Sequence, residues 1–370
     1  MTLHYLVAPA GWPNFGDELI AASWLRHLAE VAPEAQVVLD CSNPATLALR
    51  PHELHPNVRV VDTLWQVVLR NWHEGAEGAV AMARWAIANP AQTMDLAEGI
   101  ELLRRADTIH LVGGGFINDL WPPFHGLLAG IVAAAEYSGA TTAMTGQGLC
   151  PPLGGSPQLV RDLAAGFAIV DVRDDPSAEL LAGLKVSSTG DDAFLGVSGN
   201  VLPMDTSCPE VIISAQIEHG AIDAADLIDF LRRTVEAWQV TEVGVLECSP
   251  KGDSEFIDLV TRSLPVKRRY TVDDALNKGF PAAPGQTWLS TRFHPHLVAA
   301  AAGAGGVALN VRDDAYYTTK HRSLIELGSG WELIVPGEVP LRPTSGGFSA
   351  ESLAKVRSGK LEVARQIYSG

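Results

Sequence analysis

The segment Leu3-His4-Tyr5-Leu6-Val7-Ala8-Pro9-Ala10-Gly11-Trp12-Pro13-Asn14-Phe15-Gly16-Asp17-Glu18 decides how the rest of the chain is read. Its first part, Leu3–Pro9, is a short apolar run of strand length. A turn rich in glycine and proline follows. An apolar-periodic stretch of helical length, Glu18–Ala32, begins directly after Asp17, which makes Asp17 the expected N-cap. A strand that passes into a helix through such a turn is the first half of a βαβ unit.

The alternation continues outward from there. Further strands are expected at Gln36–Leu39, Thr108–Val112, Thr141–Gly146 and Ala168–Arg173, with helices at Asp95–Arg105, Phe124–Ser138 and Gln158–Ala165. The Trp- and Ala-rich stretch Leu64–Pro90 reads as a helical insertion. Gly190–Pro209 is rich in Gly, Pro, Ser and Asp and reads as a linker. A second series then places strands at Val211–Gln216, Glu242–Leu246, Val266–Tyr270, Thr287–Ser290, Gly306–Asn310 and Glu332–Val335. Its helices fall at Ala224–Trp238, Ser254–Ser263, Val272–Lys278, Pro295–Ala302 and Thr319–Leu327, and the tail Ala350–Tyr368 is one last helix. The expected fold class is therefore α/β, with two Rossmann-like parallel-sheet domains, residues 1–189 and 210–345. The 346–370 segment could cross back onto the first of them. Open parallel sheets carry their functional loops at the carboxyl ends of strands, so two such sheets facing each other would enclose a cleft.

Composition narrows the function classes. Hydrophobic residues make up 47% of the 370 and charged residues 19%, enough apolar material for two cores and too little charge for disorder. A net charge of −16 disfavours nucleic acid and anionic lipid as partners. An anionic ligand would have to be held by a few local cations. The most apolar window, Leu127–Ala135, is too short to span a bilayer, so at most peripheral membrane contact is expected. The N-terminus enters a strand at once, without a secretory pattern. Cys41, Cys150, Cys208 and Cys248 are widely spaced and read as reduced thiols of a cytoplasmic protein. Nothing in the sequence sets the oligomeric state.

Six constellations follow expected strands. In Gly11–Asp17, the glycines permit close backbone approach, and Asn14 and Asp17 are suited to sugar hydroxyls; a tight turn is the plain alternative. Gly113-Gly114-Gly115-Phe116-Ile117-Asn118-Asp119 offers bare backbone N–H groups, as Gly114 and Gly115 would provide, or simply a flexible turn. Gln147, within Gly146-Gln147-Gly148, is a candidate polar contact or a bond to neighbouring backbone. Arg173, ahead of Asp174-Asp175-Pro176-Ser177, offers a guanidinium fork for an anion, or an ion pair with its neighbours. Ser290-Thr291-Arg292-Phe293-His294 runs from a strand into a small-residue helix, where an anion is favoured and a histidine is tuned toward proton transfer. His296 has no such support, and no carboxylate or cysteine completes a metal site with it. Last, Asn310-Val311-Arg312-Asp313-Asp314 leads to Lys320, which is either within reach of a phosphate or part of a solvated loop.

Taken in order, Asn14-Phe15-Gly16-Asp17, the triple-glycine loop, Gly146-Gln147-Gly148, Arg173-Asp174-Asp175-Pro176-Ser177, Gly190-Asp191-Asp192-Ala193-Phe194 and Ser290-Thr291-Arg292-Phe293-His294 resemble the polysaccharide pyruvyl transferase family. The resemblance runs from about residue 11 to 328. It implies a GT-B-like fold, phosphoenolpyruvate as donor substrate and a sugar or lipid-linked oligosaccharide as acceptor; no further cofactor is expected, and no residue is assigned to a metal. A lipid-linked acceptor would bring the protein to the inner face of the cell membrane. The product would be a pyruvate ketal. Arg173, Arg292 and His294 match the family's anion-binding positions, and Lys320 matches a late basic position. His294 is then the expected proton-transfer residue, with Asp17 or Asp191 assisting the acceptor. Asn14, Gly114, Gly115, Asn118, Gln147 and Ser290 are the remaining candidate substrate contacts. A GT-B nucleotide-sugar glycosyltransferase and a non-catalytic carbohydrate-binding relative are the rival readings.

Overall fold

The computed structural model describes residues 2–93, 95–155, 157–197, 208–217, 222–312 and 315–368. Among these, a first sheet holds β1 (Leu3–Ala8), β2 (Gln36–Cys41), β3 (Val58–Val61), β4 (Thr108–Leu111), β5 (Thr141–Gln147), β6 (Ile169–Val172) and β7 (Ser187–Ser188). All pairings are parallel, in the order β3-β2-β1-β4-β5-β6-β7. A second parallel sheet holds β8 (Val211–Ser214), β9 (Val243–Leu246), β10 (Val266–Tyr270), β11 (Thr287–Ser290), β12 (Gly305–Leu309) and β13 (Glu332–Ile334), in the order β10-β9-β8-β11-β12-β13. Strands β1, β4, β8, β9, β11 and β12 are buried along their whole length. Sheets covered on both faces by helices need continuous apolar runs, and this is why these strands were legible as such runs.

The chain divides into two compact units. The first comprises Met1–Trp12, Asp17–Gly196 and Val356–Gly370, so most of the helix Ala350–Tyr368 belongs to it. The second comprises Pro13–Gly16 and Val197–Lys355. Much of the stretch read as a linker, residues 198–207, lies outside the described residues; Ala193–Gly196 forms a short helical turn of the first unit. Each unit has its own core. In the first, Tyr5, Val7, Ile109 and Leu111 pack with Trp65, Ile100, Leu127 and Ile131. In the second, Val211, Ile213, Val245 and Leu289 pack with Leu227, Phe230, Phe256 and Ile257.

The Leu64–Pro90 stretch contains two helices, Thr63–Leu69 and Gly75–Ala88. Gly126, on the helix His125–Ser138, lets Gly75–Ala88 lie close: a Cβ there would meet the Ala79 carbonyl oxygen at 2.9 Å. One expectation is corrected at the first helix. It spans Phe15–Val31, so Asp17 is its third residue and not its N-cap. Asn14 precedes it, and its Oδ1 accepts the Gly16 N–H at 3.0 Å. Farther along, Asp174 caps Asp175–Leu180 by accepting the Ser177 N–H at 2.9 Å, with Pro176 in the first turn, as the sequence suggests.

Candidate functional site

In each sheet the strand order reverses beside the first strand of the unit, between β1 and β4 and between β8 and β11. In open α/β sheets, ligands bind outside the carboxyl ends of the strands at such points. The second unit's reversal point is stitched together at that level. The Thr291 N–H donates to the Ser214 carbonyl at 3.0 Å, and the Gln216 N–H donates to Thr291 Oγ1 at 2.9 Å.

Arg292 is the N-cap of the helix Phe293–Ala301 and has extended backbone geometry. Ser290 builds this turn: its hydroxyl donates to the Arg292 carbonyl at 2.9 Å and accepts the Arg292 N–H at 3.0 Å. The hydroxyl proposed as a substrate contact is thus already engaged locally. The Arg292 guanidinium pairs through Nη2 with Asp253. Asp253 is fully buried, and its other oxygen accepts the N–H groups of Cys248 (2.9 Å) and Ser249 (3.0 Å). Burial works against the Arg292 charge, but its surroundings, Asp253 foremost with Cys248 and Tyr317, together outweigh it and hold the guanidinium above its ordinary pKa. Burial pushes the Asp253 carboxyl up, and Arg292 and the two backbone donors offset that only in part. The buried Arg292 Nε has no hydrogen-bond partner among the described residues.

His294 is the second residue of its helix, in the first turn, where peptide N–H groups point outward. Its ring meets Phe293 edge-on, with centroids 5.0 Å apart. On another side it lies directly against Gly16, where an added Cβ would enter the imidazole. Gly16 is held there because the Phe15 N–H donates to the Cys248 carbonyl at 2.8 Å and the Phe15 ring stacks on Phe280, 5.0 Å away. The structure therefore brings Asn14, Gly16, Ser290, Arg292 and His294 into one neighbourhood, together with Asp253. Gln216 Nε2 donates to the Tyr317 hydroxyl at 2.6 Å, and Lys320 Nζ sits 3.4 Å from the Tyr316 ring centroid. Asp313 and Asp314, part of the sixth constellation, lie outside the described residues.

His296, two residues beyond His294, has a structural role. It is fully buried, stacks on Trp331 at 4.2 Å, and bonds His321 Nδ1 (3.0 Å) and Ser329 Oγ (2.9 Å). Burial holds its pKa far below the usual histidine range, and His321 is lowered to about 4 for the same reason. Among the described residues, no group of three or more His, Cys, Asp or Glu side chains is placed to hold a metal ion.

The first unit gathers the other candidates. The Arg173 side chain is 2% exposed and lies against bare backbone at Gly148, where a Cβ would collide with the guanidinium. It pairs with Asp174 (3.5 Å) and Asp191 (3.4 Å). The other Asp191 oxygen accepts the Ala193 N–H at 2.9 Å. The ion pair with a neighbour is therefore present, and Asp174 caps its helix as well. The glycine loop spends part of its backbone internally: the Gly113 N–H donates to Asp192 (2.8 Å) and the Gly114 N–H to the Gly146 carbonyl (3.4 Å). Gly115 offers its carbonyl to Asn118 Nδ2 at 2.9 Å, while Asn118 Oδ1 accepts the Leu120 N–H, so this amide closes its own loop. Gln147 Nε2 donates to the carbonyls of Val112 and Thr145, both at 3.0 Å, and its buried Oε1 has no hydrogen-bond partner among the described residues. Asp17 is half-buried on the first helix. Sequence reading missed Asp253, Gln216, Asp192 and Lys360. Asp253 and Lys360 are charged residues on amphipathic helices, Gln216 ends an expected strand, and Asp192 stands beside the favoured Asp191; no local signal marks any of them.

Two doubly wound parallel sheets define the class as a GT-B-like fold. The chain resembles UDP-GlcNAc 2-epimerase from Neisseria meningitidis bound to UDP-GlcNAc, with a TM-score of 0.61 at 11% identity over all of both chains. It also resembles a putative UDP-N-acetylglucosamine 2-epimerase from Listeria monocytogenes, with a TM-score of 0.56 at 15% identity over 98% of this chain and 88% of that one. At such identities the likeness establishes the fold alone. No curated protein sequence matches the chain. The family model for polysaccharide pyruvyl transferase matches residues 14–313, and the chain belongs to that family. Its membership indicates a transferase with a sugar or polysaccharide acceptor. Among the described residues, no helix is long and apolar enough to cross a membrane.

Proposed function

We propose that this protein transfers the pyruvyl group of phosphoenolpyruvate to a sugar of a cell-envelope or exopolysaccharide glycan, forming a ketal and releasing phosphate in the cytoplasm. The observation that carries the reading is the placement of Arg292 and His294 at one strand-to-helix turn beside the β8/β11 reversal point. Arg292 is oriented by Asp253 and keeps a buried Nε donor for a ligand acceptor, since a buried donor is costly to leave unsatisfied. Next to it, a helix N-terminus favours negative charge. A small, highly charged anion suits that combination in an acidic protein.

In the proposed reaction, His294 delivers a proton to the methylene carbon of phosphoenolpyruvate, which becomes the methyl group. The adjacent carbon gains oxocarbenium character. One sugar hydroxyl oxygen bonds to it and gives up its proton, the carbon–oxygen bond to phosphate breaks, and a second hydroxyl closes the ketal. The two hydroxyl protons balance the one taken up at carbon and the one carried away on phosphate. We assign Arg173 and Lys320 to anion binding, and Asp17 to the acceptor. Asp191 is already committed to Arg173 and the Ala193 turn, so we assign it a supporting part. The reaction as proposed needs neither metal nor cofactor.

The rival is nucleotide-sugar chemistry, because the Neisseria relative in fold was solved with UDP-GlcNAc. Phosphate release from phosphoenolpyruvate, measured with a panel of cell-envelope glycans, tests the proposal. Thermal stabilisation by nucleotide sugars and not by phosphoenolpyruvate would reject it in favour of the rival.

A further inference from the structure

Beyond residue 313, where the family match ends, the helix Ala350–Tyr368 sends one lysine into the first unit. Lys360 is fully buried, and its Nζ contacts Asp171 Oδ2 at 2.6 Å and Asp192 Oδ1 at 2.7 Å. Both carboxylates are also fully buried. Three charges this deep require a well-formed set of hydrogen bonds, and the partners of the two carboxylates show what the set organises.

Asp192 Oδ2 accepts from the Gly113 N–H (2.8 Å), Thr145 Oγ1 (2.5 Å) and Trp24 Nε1 (2.8 Å). Asp171 Oδ2 accepts the Gly146 N–H at 3.1 Å, and its Oδ1 accepts from Ser187 Oγ and from the N–H and Oγ1 of Thr189. Gly113 begins the loop after β4. Thr145 and Gly146 lead into Gly148, the glycine under the Arg173 guanidinium. Asp171 is two residues before Arg173, and Asp192 adjoins Asp191, the carboxylate that pairs with Arg173. The glycines are required here: a Cβ at Gly113 or Gly146 would strike the Asp192 carboxylate. The same helix is fixed a second time, where the Tyr368 hydroxyl meets His110 Nδ1 at 2.7 Å while His110 Nε2 meets Thr145 Oγ1 at 2.7 Å.

The geometry points to Lys360 as a positioning residue for Arg173: it neutralises the two carboxylates that hold the strand-end loops around that arginine, so that Arg173 is presented for an anion. Lys360 does not touch the ligand itself. The assignment of the ligand as phosphoenolpyruvate rests on the reading given above.

The test uses the full chain with Lys360→Met and, as a milder change that keeps Lys360 and Asp171, Asp192→Asn. Hydrogen exchange is followed over peptides covering residues 108–118, 141–149 and 187–196. Faster exchange confined to these peptides in either variant supports the role. Unchanged exchange there, or exchange that rises uniformly over the first unit in both variants, overturns it. With phosphoenolpyruvate as the probe, KM is expected to rise at least tenfold in Lys360→Met with kcat within about threefold of the parent. A fall in kcat at constant KM would overturn the link to Arg173. If the unmodified protein does not bind phosphoenolpyruvate, the pyruvyl reading fails, and the exchange pattern still decides the role of Lys360.

Discussion

Asp253 and Arg292 form a buried pair in which the carboxylate is itself fixed by two backbone donors, Cys248 and Ser249. The arginine is thereby aimed by a residue on a neighbouring helix, Pro250–Ser263, and not by its own turn alone. Removing one partner leaves the other charge buried without compensation, which typically costs about 3–5 kcal/mol. Asp253→Ala is expected to lose stability on that order in urea unfolding. Where it remains folded, its KM for phosphoenolpyruvate should rise more than its kcat falls. An Asp253→Ala protein with parental stability and KM would show that the pair orients nothing.

His294 should behave differently. It is half-buried at a helix start, whereas His296 is fully buried and stacked on Trp331. General acid–base catalysis contributes about 10²–10⁴-fold. His294→Ala is therefore expected to reduce phosphate release from phosphoenolpyruvate by that order while leaving the far-UV circular dichroism and the melting temperature near parental values. The matching change at His296 should do the reverse, unfolding the protein at a lower temperature because the Trp331 stack and two buried hydrogen bonds are lost with it.

Burial on both faces and the locality of a feature decide which of these residues are legible in the sequence. Strands β1, β8, β11 and β12 fall within one or two residues of the apolar runs that announce them, because both faces of each sheet are covered. Strand β3 (Val58–Val61) was not recognised: it is an edge strand of four residues with Arg59 exposed, and its register is set by pairing with β2. Strand β7 has two residues, too few for any period. The Arg292 and His294 positions were visible because a strand end and a helix start are local features. Asp253 and Lys360 were not, since their partners are 39 and at least 168 positions away, and a charged residue on an amphipathic helix reads as solvated. In the Asp191-Asp192 pair, sequence reading favoured Asp191. The structure divides the work, with Asp191 on Arg173 and Asp192 among the loops.

Buried titratable groups give a pH signature with two opposing signs. Burial lowers His110 to about 3 and His321 to about 4, from 6.5. A base with a depressed folded pKa binds fewer protons when folded. Its stabilising contribution is complete above about pH 6.5 and is lost as pH falls toward the folded value, by at most about 1.4 kcal/mol per pH unit for each group. Asp40 moves the other way, since burial raises it to about 7. It binds more protons when folded, so its contribution is complete below about pH 4 and is lost as pH rises toward 7. Urea unfolding at pH 5 and pH 7.5 should therefore show a smaller acid loss in His110→Gln than in the parent, and a larger one in Asp40→Asn. Changes of the same sign in both variants would contradict the burial argument.

Gly16 offers the sharpest separation of packing from chemistry. It is the second residue of a helix, where alanine is ordinarily the better residue, by up to about 1 kcal/mol in a helix interior. Propensity alone would thus make Gly16→Ala neutral or stabilising. The added methyl, however, enters the space of the His294 ring, while Gly16 is held by the Phe15 bond to Cys248 and the Phe15–Phe280 stack. Of the two groups, the half-buried imidazole can yield more readily. A displacement of about 1 Å at a reacting group can cost about 10²-fold in rate. Gly16→Ala is expected to keep or slightly raise the melting temperature and to lose about 10²-fold in phosphate release. Combined with His294→Ala it should add little further loss, because both changes act on the same proton transfer. Full additivity in that double variant would mean that Gly16 serves some other purpose than giving His294 its place.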